Sequence, residues 1–195
     1  MHPELFLLIG ISITMGFTPG PNNAVASYSA FNFGFRKTLP IILGTGFGYT
    51  ALVILLIVVL ISVFQEYPLI QEIIRILGSI FLIYLAYKIS FSKVKSDGKK
   101  ENPVKFYETF FFQFINPKGV MAAITLISKF VIQDDYINSS ITVIVVCSVT
   151  AFVSITLWAG LGKFLRKFAT NNEFIKRFNY AMSILLIGCV ASFYV

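Results

Sequence analysis

Two short runs in this sequence hold the residue types from which a small-molecule site could be built: Thr18-Pro19-Gly20-Pro21-Asn22-Asn23 and Phe114-Ile115-Asn116-Pro117-Lys118-Gly119. Each sits inside an apolar stretch. Pro19 and Pro21 have no N–H, so the carbonyls of Met15 and Phe17 lose their helical partners, and Pro117 does the same to Gln113. Those oxygens are expected to accept hydrogen bonds from an ammonium group. Beyond each break a new half-helix begins, with Pro21 or Pro117 suited to its first position and Gly20 or Asn116 to its cap. Its free N–H groups and positive dipole end favour a carboxylate. Acceptors and donors placed this close suit a zwitterion.

Lys118 sharpens the picture, because a cation near the bilayer centre costs at least ~2.5–3.5 kcal/mol on insertion scales. No Asp or Glu is expected at its depth. Glu108 opens the same span, roughly fifteen ångström away at the rise of a helix. The expected partner is an anionic group from outside the chain, such as a substrate carboxylate; the alternative is that Lys118 bonds to the broken-helix carbonyls or snorkels to water. Thr18 offers a hydroxyl, and Asn22 and Asn23 offer amides, which could orient a ligand or merely re-satisfy the break.

The elements that must position these residues are membrane spans. The composition is 56% apolar and 13% charged with a mean hydropathy of +0.80, and stretches of about twenty apolar residues recur along the chain. Six are expected, at about 5–32, 39–63, 70–90, 107–130, 139–161 and 175–194. The fold expected is therefore an all-α integral membrane protein. It forms a single transporter domain, with repeat one at about 1–90, a linker at about 91–105 and repeat two at about 106–195. Three spans per half force the halves into opposite orientations. Breaks at equivalent places in spans one and four make an inverted repeat with a midplane site the natural arrangement. Gly16 with Gly20, and the run Gly44 to Gly48, have the small-residue spacing of close helix contacts and of a possible homodimer face. Tyr84, Tyr87 and Trp158, near span ends, fit an interfacial aromatic belt.

The net charge of +7 reads as topology rather than nucleic-acid affinity. Thirteen of the sixteen Lys and Arg residues fall on the first, third and fifth loops, among them Arg36, Lys37, Lys88, Lys105, Lys163 and Arg166. Glu4, Glu66, Glu72, Asp134 and Asp135 collect on the opposite side. The odd loops are therefore expected in the cytoplasm and both termini outside. Met1-His2-Pro3-Glu4 lacks the basic start of a secretory signal, so the first stretch is expected to be a retained span.

The sequence has one His, at position 2, and no phosphate-binding loop or nucleophile with its base, so neither enzyme chemistry nor a cofactor is expected. A membrane thiol-disulfide electron carrier would need a reactive cysteine at each break. Cys147 and Cys189 lie instead in spans five and six and read as packing residues. An exporter of heavy-metal cations would want thiolate, imidazole or carboxylate ligands where this chain has Pro, Gly, Asn and Lys.

The run Thr18-Pro19-Gly20-Pro21-Asn22, followed by Gly34-Phe35-Arg36 and Gly44 to Gly48, resembles the N-terminal signature of the LysE/RhtB superfamily of amino-acid exporters. Asn116-Pro117-Lys118 resembles its second hallmark, and the likeness extends over the full 195 residues. Tyr84-Leu85-Ala86-Tyr87-Lys88-Ile89, Phe112 to Lys118 and Trp158-Ala159-Gly160 are similar to the bacterial cysteine and O-acetylserine exporter subgroup. The resemblance implies a six-helix bacterial inner-membrane protein that expels small amino acids or their derivatives by proton antiport.

Overall fold

The computed structural model describes residues 4–60, 68–90, 104–169 and 172–194, and every regular element among them is helical. Helices α1 (Leu5–Phe17) and α2 (Pro21–Phe33) meet across the first run at a bend of 56°. Helix α3 (Phe35–Leu55) continues into a π-helical turn (Leu56–Leu60), and α4 (Pro68–Ser90) follows. Helices α5 (Phe106–Ile115) and α6 (Pro117–Phe130) meet across the second run at 60°. A 3₁₀ turn (Gln133–Asp135), α7 (Tyr136–Arg166) and α8 (Asn172–Ala191) complete the chain. Four helices are long and apolar enough to cross a membrane, and the two bent pairs bring the number to six if each is one span.

Element order follows the sequence expectation, while the ends differ. The fifth span is a helix over 136–166 rather than 139–161, because Lys163 and Arg166 extend it past the apolar stretch. The linker expected at 91–105 lies, as far as residue 103, outside the described residues, as do residues 61–67 between the π-helical turn and α4.

Apolar side chains cover the outside of the bundle: Phe6, Val58, Leu69, Ile137 and Ile184 are each at least 70% exposed. That is the surface a hydrocarbon solvent requires. The interior is built from small residues and polar pairs. On α2, Ala24, Ala26, Ser27, Ser29 and Ala30 are buried, and Gly162 of α7 lies against the Ser27 backbone so closely that a Cβ would overlap it. Small residues let backbones approach where apolar area alone gives no drive to associate. Polar pairs then link the helices: Asn32 donates to Asn179 at 2.8 Å, Thr50 to Ser148 at 2.8 Å, and Thr38 to Ser29 at 2.9 Å. Tyr136 Oη donates at 2.7 Å to the Ile57 carbonyl in the π turn, where helical pairing is irregular.

Two large apolar clusters form the core. One gathers Ala24, Ile41, Leu82, Phe112, Ile155 and Leu186; the other gathers Leu8, Leu52, Val53, Val120, Phe130 and Val143. At the end of the bundle farther from Glu4, Phe31 stacks on Phe178 with ring centroids 3.8 Å apart, and the Arg166 guanidinium lies 5.5 Å above Phe31. Between α2 and α3, Gly34 takes φ +90, a backbone conformation open to glycine, and this turns the chain within one residue.

The glycines expected at helix contacts face neighbours within the same chain. A Cβ on Gly44 would overlap the Phe106 carbonyl and the Thr109 hydroxyl, and one on Gly48 would come within 2.6 Å of the Phe110 carbonyl. Both pack α3 against α5, and Gly16 faces Thr150 and Ser154 of α7. Replacing Gly44 by Ala is expected to lower stability by about 1–3 kcal/mol through overpacking. Gly160→Ala, with nothing within 4 Å, should be neutral. Thermal melting of the two variants in one detergent checks this, and equal midpoints would contradict the packing role.

Candidate functional site

The two breaks lie side by side and are tied by the second break's lysine. Lys118 Nζ donates to the Thr18 carbonyl at 2.9 Å, the Thr18 hydroxyl at 2.9 Å and the Pro19 carbonyl at 3.1 Å, three acceptors for its three protons. Among the described residues no carboxylate lies within ion-pair distance of it. Gly20 makes this approach possible, because a Cβ there would sit 2.8 Å from Lys118 Nζ. The alternative read from the sequence, lysine bonded to the carbonyls of a broken helix, is the arrangement in this conformation.

A second tie joins the same segments. Asn22 Nδ2 donates to Gln113 Oε1 at 2.8 Å, and Gln113 Nε2 returns a bond to Asn22 Oδ1 at 3.1 Å while also reaching the Thr109 carbonyl at 2.7 Å. Gln113 is fully buried, so each of these polar atoms needs a protein partner. Asn23 serves the first break itself, donating to Gly16 O at 3.0 Å and Thr18 O at 3.1 Å.

Of the three ammonium acceptors expected from the sequence, the two at the first break are already engaged. Met15 O accepts from the Thr18 hydroxyl at 2.8 Å, and Phe17 O accepts from the Trp158 indole N–H at 3.3 Å. Ser154 Oγ donates to Gly16 O at 2.7 Å. An unpaired carbonyl in an apolar interior is expensive, and α7 supplies donors where the prolines remove them. Trp158 is thus a plug for the first break, not a belt residue; its own carbonyl accepts from Ser27 at 3.0 Å. Tyr84 and Tyr87 point outward, more than half exposed.

Both half-helices start as the residue types dictate. Gly20 and Asn116 occupy the caps in extended conformations, and Pro21 and Pro117 take the first positions. The first hydrogen-bonded turns are Ala24 N to Gly20 O at 3.0 Å and Val120 N to Asn116 O at 2.9 Å. The N–H groups of Asn22, Asn23, Lys118 and Gly119 therefore precede the intrahelical ladder. Asn116 does not cap its helix with its side chain; it is 2% exposed, and its Oδ1 has no hydrogen-bond partner.

A cavity of about 90 Å³ opens beside the junction. Gly20, Pro21, Asn22, Asn23, Asn116 and Lys118 line it from the breaks, with Gly16 and Ser12 from α1, Thr45 and Tyr49 from α3, and Cys147, Thr150 and Ser154 from α7. Ile155 of one apolar cluster and Leu126 of the other also face it, so it lies between the two cores. Thr18, Pro19, Gln113 and Pro117 stay behind the wall. The first two present carbonyls to Lys118, Gln113 braces Asn22, and Pro117 packs on Gly78 of α4. Both cysteines are free thiols, with Cys147 buried at the cavity. Lys118 also borders a second cavity of about 310 Å³ with Arg75, Met121, Ser192 and Phe193, and so stands between two spaces. The sequence reading passed over Ser12, Thr45, Tyr49 and Ser154, whose types are ordinary in apolar helices and carry no local signature, and took Trp158 for a belt residue.

A family model for the LysE type translocator matches residues 13–195. The chain is similar to curated proteins named cysteine/O-acetylserine efflux protein: 27% identical over 179 residues to that of Escherichia coli O139:H28 (strain E24377A / ETEC), covering 91% of each chain. The proteins of that name from Escherichia coli (strain K12) and Shigella flexneri serotype 5b (strain 8401) are each 26% identical over the same 91% of both chains. No solved structure matches the chain significantly.

The Asn22–Gln113 pair should be energetically coupled. In a double-mutant cycle with Asn22→Ala and Gln113→Ala, the stability losses are expected to fall short of additivity by about 1 kcal/mol. Strictly additive losses would mean that the amides do not hold the two breaks together.

Proposed function

Since the chain belongs to the LysE type translocator family of efflux transporters, we propose that it exports small zwitterionic amino acids or their derivatives, of the cysteine and O-acetylserine kind, across a bacterial inner membrane. The observation that carries this reading is Lys118: a cation from one broken span, at the edge of a cavity, bonded among the described residues to a hydroxyl and two carbonyls of the other. A carboxylate entering the cavity competes with those neutral acceptors. The lysine's charge already strengthens its bonds to the neutral oxygens, and a carboxylate adds the attraction of an opposite charge in a low-dielectric interior, so the ammonium transfers to the substrate. The free N–H groups at the starts of α2 and α6 add donors with a favourable dipole.

The substrate's ammonium needs acceptors, and the Asn116 side-chain oxygen at the second break has no donor. Carboxylate and ammonium are thus met by one break, which fits an α-amino acid. When Lys118 leaves Thr18 and Pro19, the link between the breaks is released, and the two halves can rock about the site as inverted repeats do. The larger cavity beyond Lys118 offers the next space on the path. We place both termini outside, on the loop charges, and take the exchanged ion to be a proton. The homologues' names support the substrate class.

Lys118→Met keeps the apolar stem and removes the charge. Flux of labelled O-acetylserine from proteoliposomes should fall roughly 10- to 100-fold, matching the ~1.5–3 kcal/mol of a hydrogen bond to a charged group, with insertion into the bilayer retained. An imposed pH gradient should stimulate wild-type flux. Undiminished flux in the variant would remove Lys118 from the site.

A further inference from the structure

Three buried polar atoms along the cavity wall have no nitrogen or oxygen partner: Ser12 Oγ on α1, whose one polar neighbour is the weakly bonding Cys147 thiol, Thr45 Oγ1 on α3 and Asn116 Oδ1 at the second break. All three residues are no more than 4% exposed. A fourth such atom among the described residues, Ser140 Oγ, is not at this cavity. The contrast with the junction is chemical. Around the first break the carbonyls of Met15, Gly16, Phe17, Thr18 and Pro19 are all paired by donors from the chain itself. The chain thus pairs the carbonyls of its first break and leaves side-chain oxygens unsatisfied along the cavity beside it. A buried polar group without a partner is rare in a native interior and calls for an explanation.

We propose that Ser12 and Thr45 are specificity residues that recognise a hydrogen-bonding side chain on the transported amino acid. This rests on the export reading, in which Lys118 takes the carboxylate and Asn116 the ammonium, leaving the two hydroxyls for the remaining part of the substrate. They come from different helices, α1 and α3, that both line the cavity, so a small side chain within it has a hydroxyl from each within its walls. A hydroxyl can give or take a bond, and it therefore serves a substrate alcohol, thiol or ester oxygen equally. An aliphatic isostere would fill the same volume and leave both hydroxyls unpaired. Sites built to hydrogen-bond a substrate group reject the analogue lacking it for this reason.

The test compares L-serine with L-2-aminobutyrate, which differ by hydroxyl against methyl, as competing substrates in proteoliposomes. Wild type should favour serine by roughly 10-fold or more, the effect of one unpaired buried polar group. Thr45→Val is isosteric and Ser12→Ala removes only the hydroxyl; the double variant should carry aminobutyrate nearly as well as serine. The ligand-free Thr45→Val protein should also melt a few degrees higher than wild type, because an unpartnered hydroxyl has been replaced by a methyl of the same shape. A wild-type preference that the double variant keeps, or a Thr45→Val protein that melts lower with unchanged selectivity, would overturn the proposal while leaving export intact. Absence of flux for every amino acid in the wild type would overturn the export reading and this inference with it.

Discussion

The hydrocarbon layer offers no hydrogen bonds, and that constraint organises this molecule. A chain that interrupts two of its spans must find internal partners for every carbonyl the prolines release. It does so with side chains from elsewhere: Trp158 and Ser154 from α7, Asn23 from just beyond the break, and Lys118 from the other broken span. Lys118 alone among these is charged, and it is also the one that reaches from break to break. Repairing the helix and joining the two halves are therefore one interaction.

The same constraint distinguishes structural polar atoms from functional ones. The carbonyls of the first break are paired, while side-chain oxygens of Ser12, Thr45 and Asn116 are left without a nitrogen or oxygen partner along the cavity. Buried unpaired atoms lower stability, which natural proteins tolerate mainly where function uses them. The apolar clusters on either side give the cavity rigid walls, and the close glycine contacts of α3 with α5 hold the second break in register with Thr45 and Tyr49.

Much of this was legible in the residues. Apolar length located the spans, and proline chemistry located both breaks and their caps, because each depends on local covalent structure. The site residues at the breaks also came together in space, with Asn22, Asn23, Asn116 and Lys118 lining the cavity beside Gly20 and Pro21, and Thr18, Pro19, Gln113 and Pro117 supporting them from behind. What could not be read was pairing across helices. Met15 and Phe17 looked like free acceptors because nothing in the sequence says that Thr18 and Trp158 will reach them. Ser12, Thr45 and Ser154 are single small polar residues in apolar helices, and their meaning depends on rotational registers that only packing fixes.

The central claim is that the Lys118 ammonium exchanges the carbonyls of Thr18 and Pro19 for a substrate carboxylate. Equilibrium binding of labelled O-acetylserine to the purified protein, competed by L-serine and by L-serinamide, tests it most directly. The account predicts that serinamide, which lacks the carboxylate, competes at least roughly tenfold more weakly, the effect of a lost charge-assisted bond. It also predicts that the difference disappears in Lys118→Met. Equal competition by the two compounds in the wild type would contradict it.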